Sequence, residues 1–210
     1  MLTIEFFHDA VCGWCYNQSP RLRQLASRYQ LDIVHRAFVL QRNEQEMIAR
    51  FGSLELAKIE ILGHWQQCKQ HADEPDRINI EGMAATSFNY PSGYQAALAA
   101  KAVESIQGQQ GHWDYFDAVQ YAHLYLNLNI ADPEVLVEIA REQGTNPDLF
   151  FNRFRAGFIK ARVDADNQRA RQLGVSTIPA MHIDNAYLIC QSLNYQQLVD
   201  ITKHMTRQPA

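Results

Sequence analysis

The sequence predicts an α/β fold in which a β-α-β unit opens the chain, a long all-helical stretch interrupts it, and an α-β-β-α unit closes it. Three observations predict this. Strand-like apolar runs concentrate near the two ends, at residues 2–7, 31–40 and 181–190. Between Glu44 and Gly157, helical patterns with capping signals follow one another instead. Two pieces of punctuation, Cys12-Gly13-Trp14-Cys15 and Ile178-Pro179, stand where the end units pass from one element to the next.

Leu2-Thr3-Ile4-Glu5-Phe6-Phe7 is short, aromatic and β-branched, which suits a buried strand, and His8-Asp9-Ala10-Val11 reads as the loop leaving it. From Gly13 onward Leu22, Leu25, Ala26 and Tyr29 recur at helical spacing, with Arg21, Arg23, Gln24 and Arg28 on the other side. Pro20 falls inside that helix and predicts a kink or an early end. Residues 31–40 alternate and then turn apolar, as a strand parallel to the first does.

The middle begins with Met47, Phe51, Leu54, Ala57 and Ile61, punctuated by Gly52 and Gly63, and continues through Trp65 toward His71. Ser92 caps a helix through Ile106 that Gly108 and Gly111 end, and residues 113–125 form another. Asp132-Pro133 and Asn146-Pro147 each place a cap before a proline at the first helical position. Residues 159–173 make one more helix, with Gly174 as its C-cap. Asp184-Asn185-Ala186 is a hairpin signal, residues 194–205 read as a closing helix, and 207–210 as a frayed end. The expected boundaries are 1–43 and 158–210 for the two parts of the α/β unit, with 44–157 as a helical insertion.

With 210 residues, 47% of them hydrophobic, and a formal charge of −4, the chain is long enough to bury a sizeable core. The mildly acidic balance and the lack of a Lys/Arg block argue against nucleic acid or an anionic membrane as partner. No signal-peptide pattern and no membrane-length apolar stretch occur, so a chain with this native N-terminus is expected in the cytoplasm. Oligomeric state has no signal in the sequence. Four cysteines make no disulfide framework. Cys190 reads as a buried strand residue and Cys68 as a helix residue, both inert.

Cys12 falls at a helix N-terminus, where unpaired backbone N–H groups and the positive end of the macrodipole favour a thiolate. That makes Cys12 the expected nucleophile and Cys15, one turn on, the resolving thiol. Two other readings of the pair stand beside this one: half a zinc site, for which His8 is the only nearby further ligand, or two inert thiols. His64, Cys68 and His71 also share a helical face, which reads as an amphipathic surface, and no metal site is expected. Trp65, Phe88, Tyr90, Tyr94 and Trp113 are candidates for core or for a substrate groove, with core expected for most.

Ile178-Pro179, just before the apolar run Met181-His182-Ile183, resembles the Ile-Pro or Val-Pro dipeptide of the thioredoxin superfamily, whose cis bond faces a C-x-x-C. With CGWC first and TIP late, the chain resembles the DsbA family, in which an all-helical domain interrupts the thioredoxin fold. The context His8-Asp9-Ala10-Val11-Cys12-Gly13-Trp14-Cys15-Tyr16 looks most like its cytoplasmic FrnE-like branch. The resemblance implies a thiol-disulfide oxidoreductase or protein disulfide isomerase with Cys12 and Cys15 as redox couple, Pro179 as cis-proline and Ile178 offering backbone to a substrate strand. It implies no cofactor beyond the Cys12–Cys15 disulfide, glutathione as a candidate redox partner, and protein or small-molecule thiols and disulfides as substrates.

Strongly oxidising members carry Pro-His between the cysteines and thioredoxins carry Gly-Pro, whereas Gly13 and Trp14 stand here. Gly13 allows close backbone approach without adding charge, and Trp14 adds an apolar wall, so a milder oxidant is expected. His8 is read either as a source of local positive charge or a proton shuttle, or as a surface-loop histidine. Related proteins bury an acid under the cysteines as a proton relay. Glu5 is the candidate, one residue further from Cys12, with a solvent-facing position as the alternative. Two other functions are carried along: a redox-sensitive client-binding adaptor, and a relative of the kappa-class glutathione transferases and isomerases, which generally have Ser at the nucleophile position.

Overall fold

The first strand, β1 (Leu2–His8), lies inside the sheet because both its faces are apolar: Ile4 and Phe6 point one way, Phe7 the other, and none is more than 1% exposed. It pairs in parallel with β2 (Leu31–Ala37), Leu2 opposite Leu31 and His8 opposite Ala37. On its other edge it pairs antiparallel with β3 (Ala180–Ile183), which continues antiparallel to β4 (Tyr187–Ile189). The order is β2-β1-β3-β4. The structure is a computed structural model that describes residues 1–207; of the end expected to fray, 207–210, Arg207 is still helical and 208–210 lie outside the described residues.

Around the sheet stand α1 (Gly13–Ala26), α2 (Glu44–Phe51), α3 (Leu54–Gln70), α4 (Ile80–Ala85), α5 (Tyr94–Leu124), α6 (Pro133–Glu142), α7 (Pro147–Phe154), α8 (Gly157–Leu173) and α9 (Tyr195–Arg207). Asp132 and Asn146 accept backbone N–H bonds at the starts of α6 and α7, as the Asp-Pro and Asn-Pro signals require. Ser53 caps α3 directly after Gly52 ends α2 at φ +91°.

The break expected at Gly108 is present: α5 is two helical halves joined across a kink there (φ 72°, ψ −165°). Three details differ from the sequence reading. The N-cap of α5 is Gly93, with Ser92 Oγ accepting Tyr94 N–H at 3.1 Å. α1 runs through Pro20 without a break, the missing donor falling on the exposed side. β4 ends at Ile189, so half-buried Cys190 lies just past the strand.

One apolar core runs from Ile4, Phe6, Leu22 and Leu25 under the sheet to Trp65, Tyr115 and Phe150 in the helical stretch. The chain therefore cannot lose its helical stretch without exposing the underside of the sheet. Among the described residues, no helix is long and apolar enough to cross a membrane.

The other sheet face packs Phe7 against Ala170, Val175 and Ala180 and holds Glu5. Strand alternation does place Glu5 opposite Ile4 and Phe6, but α8 covers that face and leaves it only 6% exposed. Arg169 Nη2 lies 2.8 Å from its carboxylate, Arg36 Nη2 2.8 Å and His182 Nδ1 2.9 Å. Burial alone raises the Glu5 pKa. The hydrogen bonds from Arg169 and His182 and the charge of Arg36 outweigh it and hold the carboxyl at about 2. Glu5 is therefore neither solvent-facing nor a proton relay under the cysteines; it is an ionised anchor between sheet and α8.

A carboxylate depressed from 4.5 toward 2 contributes stability that is complete above the unfolded pKa and lost as pH falls through the folded one. With both arginines a third exposed, the contribution is about 2 kcal/mol. Urea unfolding measured at pH 7 and at stepped values down to pH 2 is expected to show that loss between pH 4.5 and 2. Glu5→Gln is expected to lower stability at pH 7 and flatten this part of the profile, and a profile unchanged by the substitution would contradict the assignment.

Candidate active site

The turn before α1 is local: Cys12 N–H donates to Asp9 O at 3.1 Å, and the free N–H groups of the helix follow. Cys12 is the N-cap residue (φ −87°, ψ 108°), and its Sγ accepts the Cys15 N–H at 3.2 Å. A sulfur thus occupies the place where a serine or aspartate oxygen usually caps, facing the positive end of the helix. Ile178 O lies 3.8 Å from Cys12 Sγ, and the Ile178-Pro179 bond is cis. Cys12, Cys15, Ile178 and Pro179 come together as the sequence predicts. The pair is less open than the sequence suggests, because Cys12 is 8% exposed and Cys15 not at all.

Burial pushes the Cys15 thiol well above the usual cysteine range, and its contact with Cys12 adds to this. Close by is a residue the sequence reading treated only as loop. Asp9 is 3% exposed, and burial pushes its carboxyl up to about 6 against the backbone N–H groups of Leu40 and Val11 that favour its ionised form. Its Oδ2 accepts Leu40 N–H at 2.9 Å and its Oδ1 accepts Val11 N–H at 3.3 Å. A Cβ on Gly93 would lie 1.7 Å from Oδ1, so the glycine leaves room for the carboxylate. Its negative charge raises the Cys15 pKa further. The signal in the sequence was an acid after the first strand, at the entry to the CGWC turn.

α5 closes the turn from behind. Gln120 Nε2 donates to Cys12 O at 3.1 Å and reaches Asp9 O and Ala10 O at 3.4 Å. Tyr90 Oη donates to Val11 O at 3.1 Å and meets His123 Nε2 at 3.0 Å.

His8 corrects the sequence reading. It is the last residue of β1 rather than a loop residue, and 4% exposed. Burial, then the charges of His112 and Lys101, drive its pKa well below 6.5, so it brings no positive charge to Cys12 at neutral pH.

Cys12 opens onto a cavity of about 420 Å³ walled by Trp14, Met47, Phe51, Trp65 and Tyr90, with Arg50, His64 and Thr177 among its polar members. Trp65 and Tyr90 are 1% and 2% exposed, so the same side chains serve as core and as cavity wall. Trp113 is core, its Nε1 donating to Ser19 Oγ at 2.7 Å. Cys68, read from the sequence as a bystander, lines this cavity, and a Cβ on Gly13 would lie 3.0 Å from its Sγ. Burial and the charge of Cys12 push its thiol above the cysteine range. His64 and His71 are exposed while Cys68 is buried.

Comparison with known proteins fits this geometry. The ClpXP adapter protein SpxH of Bacillus subtilis is 24% identical over 217 residues, covering 97% of this chain and 67% of the relative. Among solved structures, a candidate protein disulfide isomerase of Nitrosomonas europaea superposes with a TM-score of 0.82 at 20% identity, covering 100% of this chain and 99% of that one. The cytosolic disulfide reductase DsbM of Pseudomonas aeruginosa, solved with GSH, gives 0.75 at 19% identity, covering 98% and 100%. At these identities the structures share the fold. The model of the DSBA-like thioredoxin domain matches residues 3–202, nearly the whole chain, and the protein belongs to that family.

Proposed function

We propose that the protein is a dithiol-disulfide oxidoreductase working at Cys12 and Cys15. The observation that carries this reading is the placement of Cys12 Sγ at the helix N-cap, with the Cys15 N–H on it and the Ile178 carbonyl beside it. The Cys12 thiolate attacks one sulfur of a substrate disulfide, forming a mixed disulfide and releasing the other substrate sulfur as thiolate. Cys15 then gives up its proton and attacks Cys12 Sγ, so the substrate leaves as a dithiol and the protein keeps the two-electron oxidation as a Cys12–Cys15 disulfide. Asp9, buried in the turn that leads into Cys12, is the proton acceptor for that second step. The same steps in reverse oxidise a substrate dithiol.

Trp14 and the apolar wall favour hydrophobic segments around the reacting sulfur, and the cavity has room for a small thiol such as glutathione. The likeness to DsbM, a cytosolic reductase solved with GSH, supports that partner and a reducing compartment. SpxH, an adaptor, supports a second reading in which the same groove holds a client without turnover.

The equilibrium between Cys12/Cys15 and glutathione, followed by tryptophan fluorescence, separates these readings. A potential at or above about −200 mV marks a disulfide donor or isomerase, one near −270 mV a thioredoxin-like reductant. Absence of any reversible Cys12–Cys15 disulfide would leave only the adaptor. Cys12→Ser is expected to abolish exchange, and Cys15→Ser to accumulate the mixed disulfide on mass spectrometry. Asp9→Asn is expected to leave attack by Cys12 near its original rate while slowing release from the mixed disulfide about 100-fold in stopped-flow traces. Equal slowing of both steps would remove Asp9 from the proton path. Gly93→Ala drives a methyl group into the Asp9 carboxylate and is expected to cost about 3 kcal/mol in denaturant unfolding.

A further inference from the structure

Below the Cys12 turn three imidazoles meet inside the core, one from each of three elements. His8 ends β1, His35 lies on β2 and His112 on the second half of α5, and they are 4%, 0% and 0% exposed. Neither the redox steps nor the packing of the sheet calls for three imidazoles there. Their ring centroids are 5.1 Å apart for His8 and His35, 5.4 Å for His8 and His112, and 4.9 Å for His35 and His112. Three imidazoles on one tetrahedral ion with metal–nitrogen bonds of about 2.0–2.1 Å have centroids about 5 Å apart. The rings already stand at that spacing.

The nitrogens agree with it. One ring nitrogen from each histidine lies within 4.8 Å of one from each of the others, and His8 Nε2 and His35 Nδ1 are 3.0 Å apart. Ligand nitrogens on a tetrahedral ion are about 3.3 Å apart, so the widest pair closes by ring rotation and a shift of about an ångström. His112 points its Nδ1 at Glu104 Oε2, 2.7 Å away, and its Nε2 is buried with no hydrogen-bond partner among the described residues. With Nδ1 turned to His8, the unpartnered His35 Nε2 is not the nitrogen facing the cluster. The buried unpaired Nε2 of His112, turned away from Glu104, is costly as it stands and leaves a lone pair for an occupant. A carboxylate on the far nitrogen is also the arrangement that fixes the tautomer and orientation of a metal-bound histidine. Glu104 is itself held by Lys101 Nζ at 2.7 Å and Arg162 Nη2 at 2.6 Å, and the Lys101 charge is further offset by Asp166 at 2.8 Å.

We propose that His8, His35 and His112 bind one divalent first-row transition ion, zinc being the expected occupant, with Glu104 orienting His112 from outside. An all-imidazole set suits zinc, copper, nickel or cobalt and not the oxygen-seeking magnesium or calcium. The ion ties the end of β1, β2 and α5 together beneath the turn that carries Cys12. This assignment is independent of the redox reading, and either stands if the other fails.

The test uses the full-length chain expressed in zinc- or cobalt-supplemented medium and purified without chelator. Elemental analysis is expected to find one ion per chain, and the cobalt form to show tetrahedral d–d absorption without a thiolate-to-cobalt charge-transfer band. The ion is expected to remain in Cys12→Ser/Cys15→Ser, to be lost in His112→Gln, and to bind 10–100-fold more weakly in Glu104→Gln. No retained ion, a charge-transfer band, or loss of the ion with the two cysteines would overturn the proposal. Should His112→Gln fail to fold, the cobalt spectrum of the unsubstituted chain decides the matter alone.

Discussion

The carboxylate of Asp9 is the constraint on which the reactive end of the molecule depends. It lies in the interior and ties the turn before α1 to the chain leaving β2 through Val11 N–H and Leu40 N–H. Gly93 provides the room for it. Three segments far apart in sequence therefore share one buried anion. The arrangement fixes the height of Cys12 above the sheet, and Gln120 sets the opposite side of the same turn from α5. A low-dielectric pocket makes each of these contacts stronger than it is in water, and makes the loss of any one of them costly.

The two sheet faces divide the work. Toward α1 and α5 the residues are apolar and aromatic, interrupted by the histidine cluster; toward α8 they combine a small apolar patch with the ionic group around Glu5. Asp166 links the two systems, meeting Arg36 at 3.0 Å and Lys101 at 2.8 Å, while its other contact, Ala37 N–H, terminates β2. A buried ionic group of this kind stabilises little over a well-packed apolar one, but it penalises wrong registers strongly. It accounts for β2 stopping at Ala37 although the sequence remains apolar to Leu40.

Much of this was legible in the chain. The order of strands and helices, the caps at Asp132 and Asn146, the helix start at Cys12 and the approach of Ile178 all follow from local rules of spacing, capping and turn chemistry. What local rules miss is what a remote segment supplies. Alternation puts Glu5 on the second face of the sheet but cannot say that α8 brings Arg169 there. His8 looks like a loop residue until α5 buries it. Asp9 is invisible as a buried acid because its partners, Leu40 and Gly93, are 31 and 84 positions away. Gly108 and Gly111 look alike in the sequence, and only packing determines that the first breaks the helix and the second does not.

The close approach of Gly13 to Cys68 has a consequence for how such a chain can diversify. The dipeptide between the two cysteines is the natural dial for redox strength, yet its first position is closed by a sulfur from another helix. Any side chain there must displace Cys68 by a few tenths of an ångström. Positions 13 and 68 are thus steric partners, and retuning the dipeptide toward proline calls on Cys68 of α3 to yield that space.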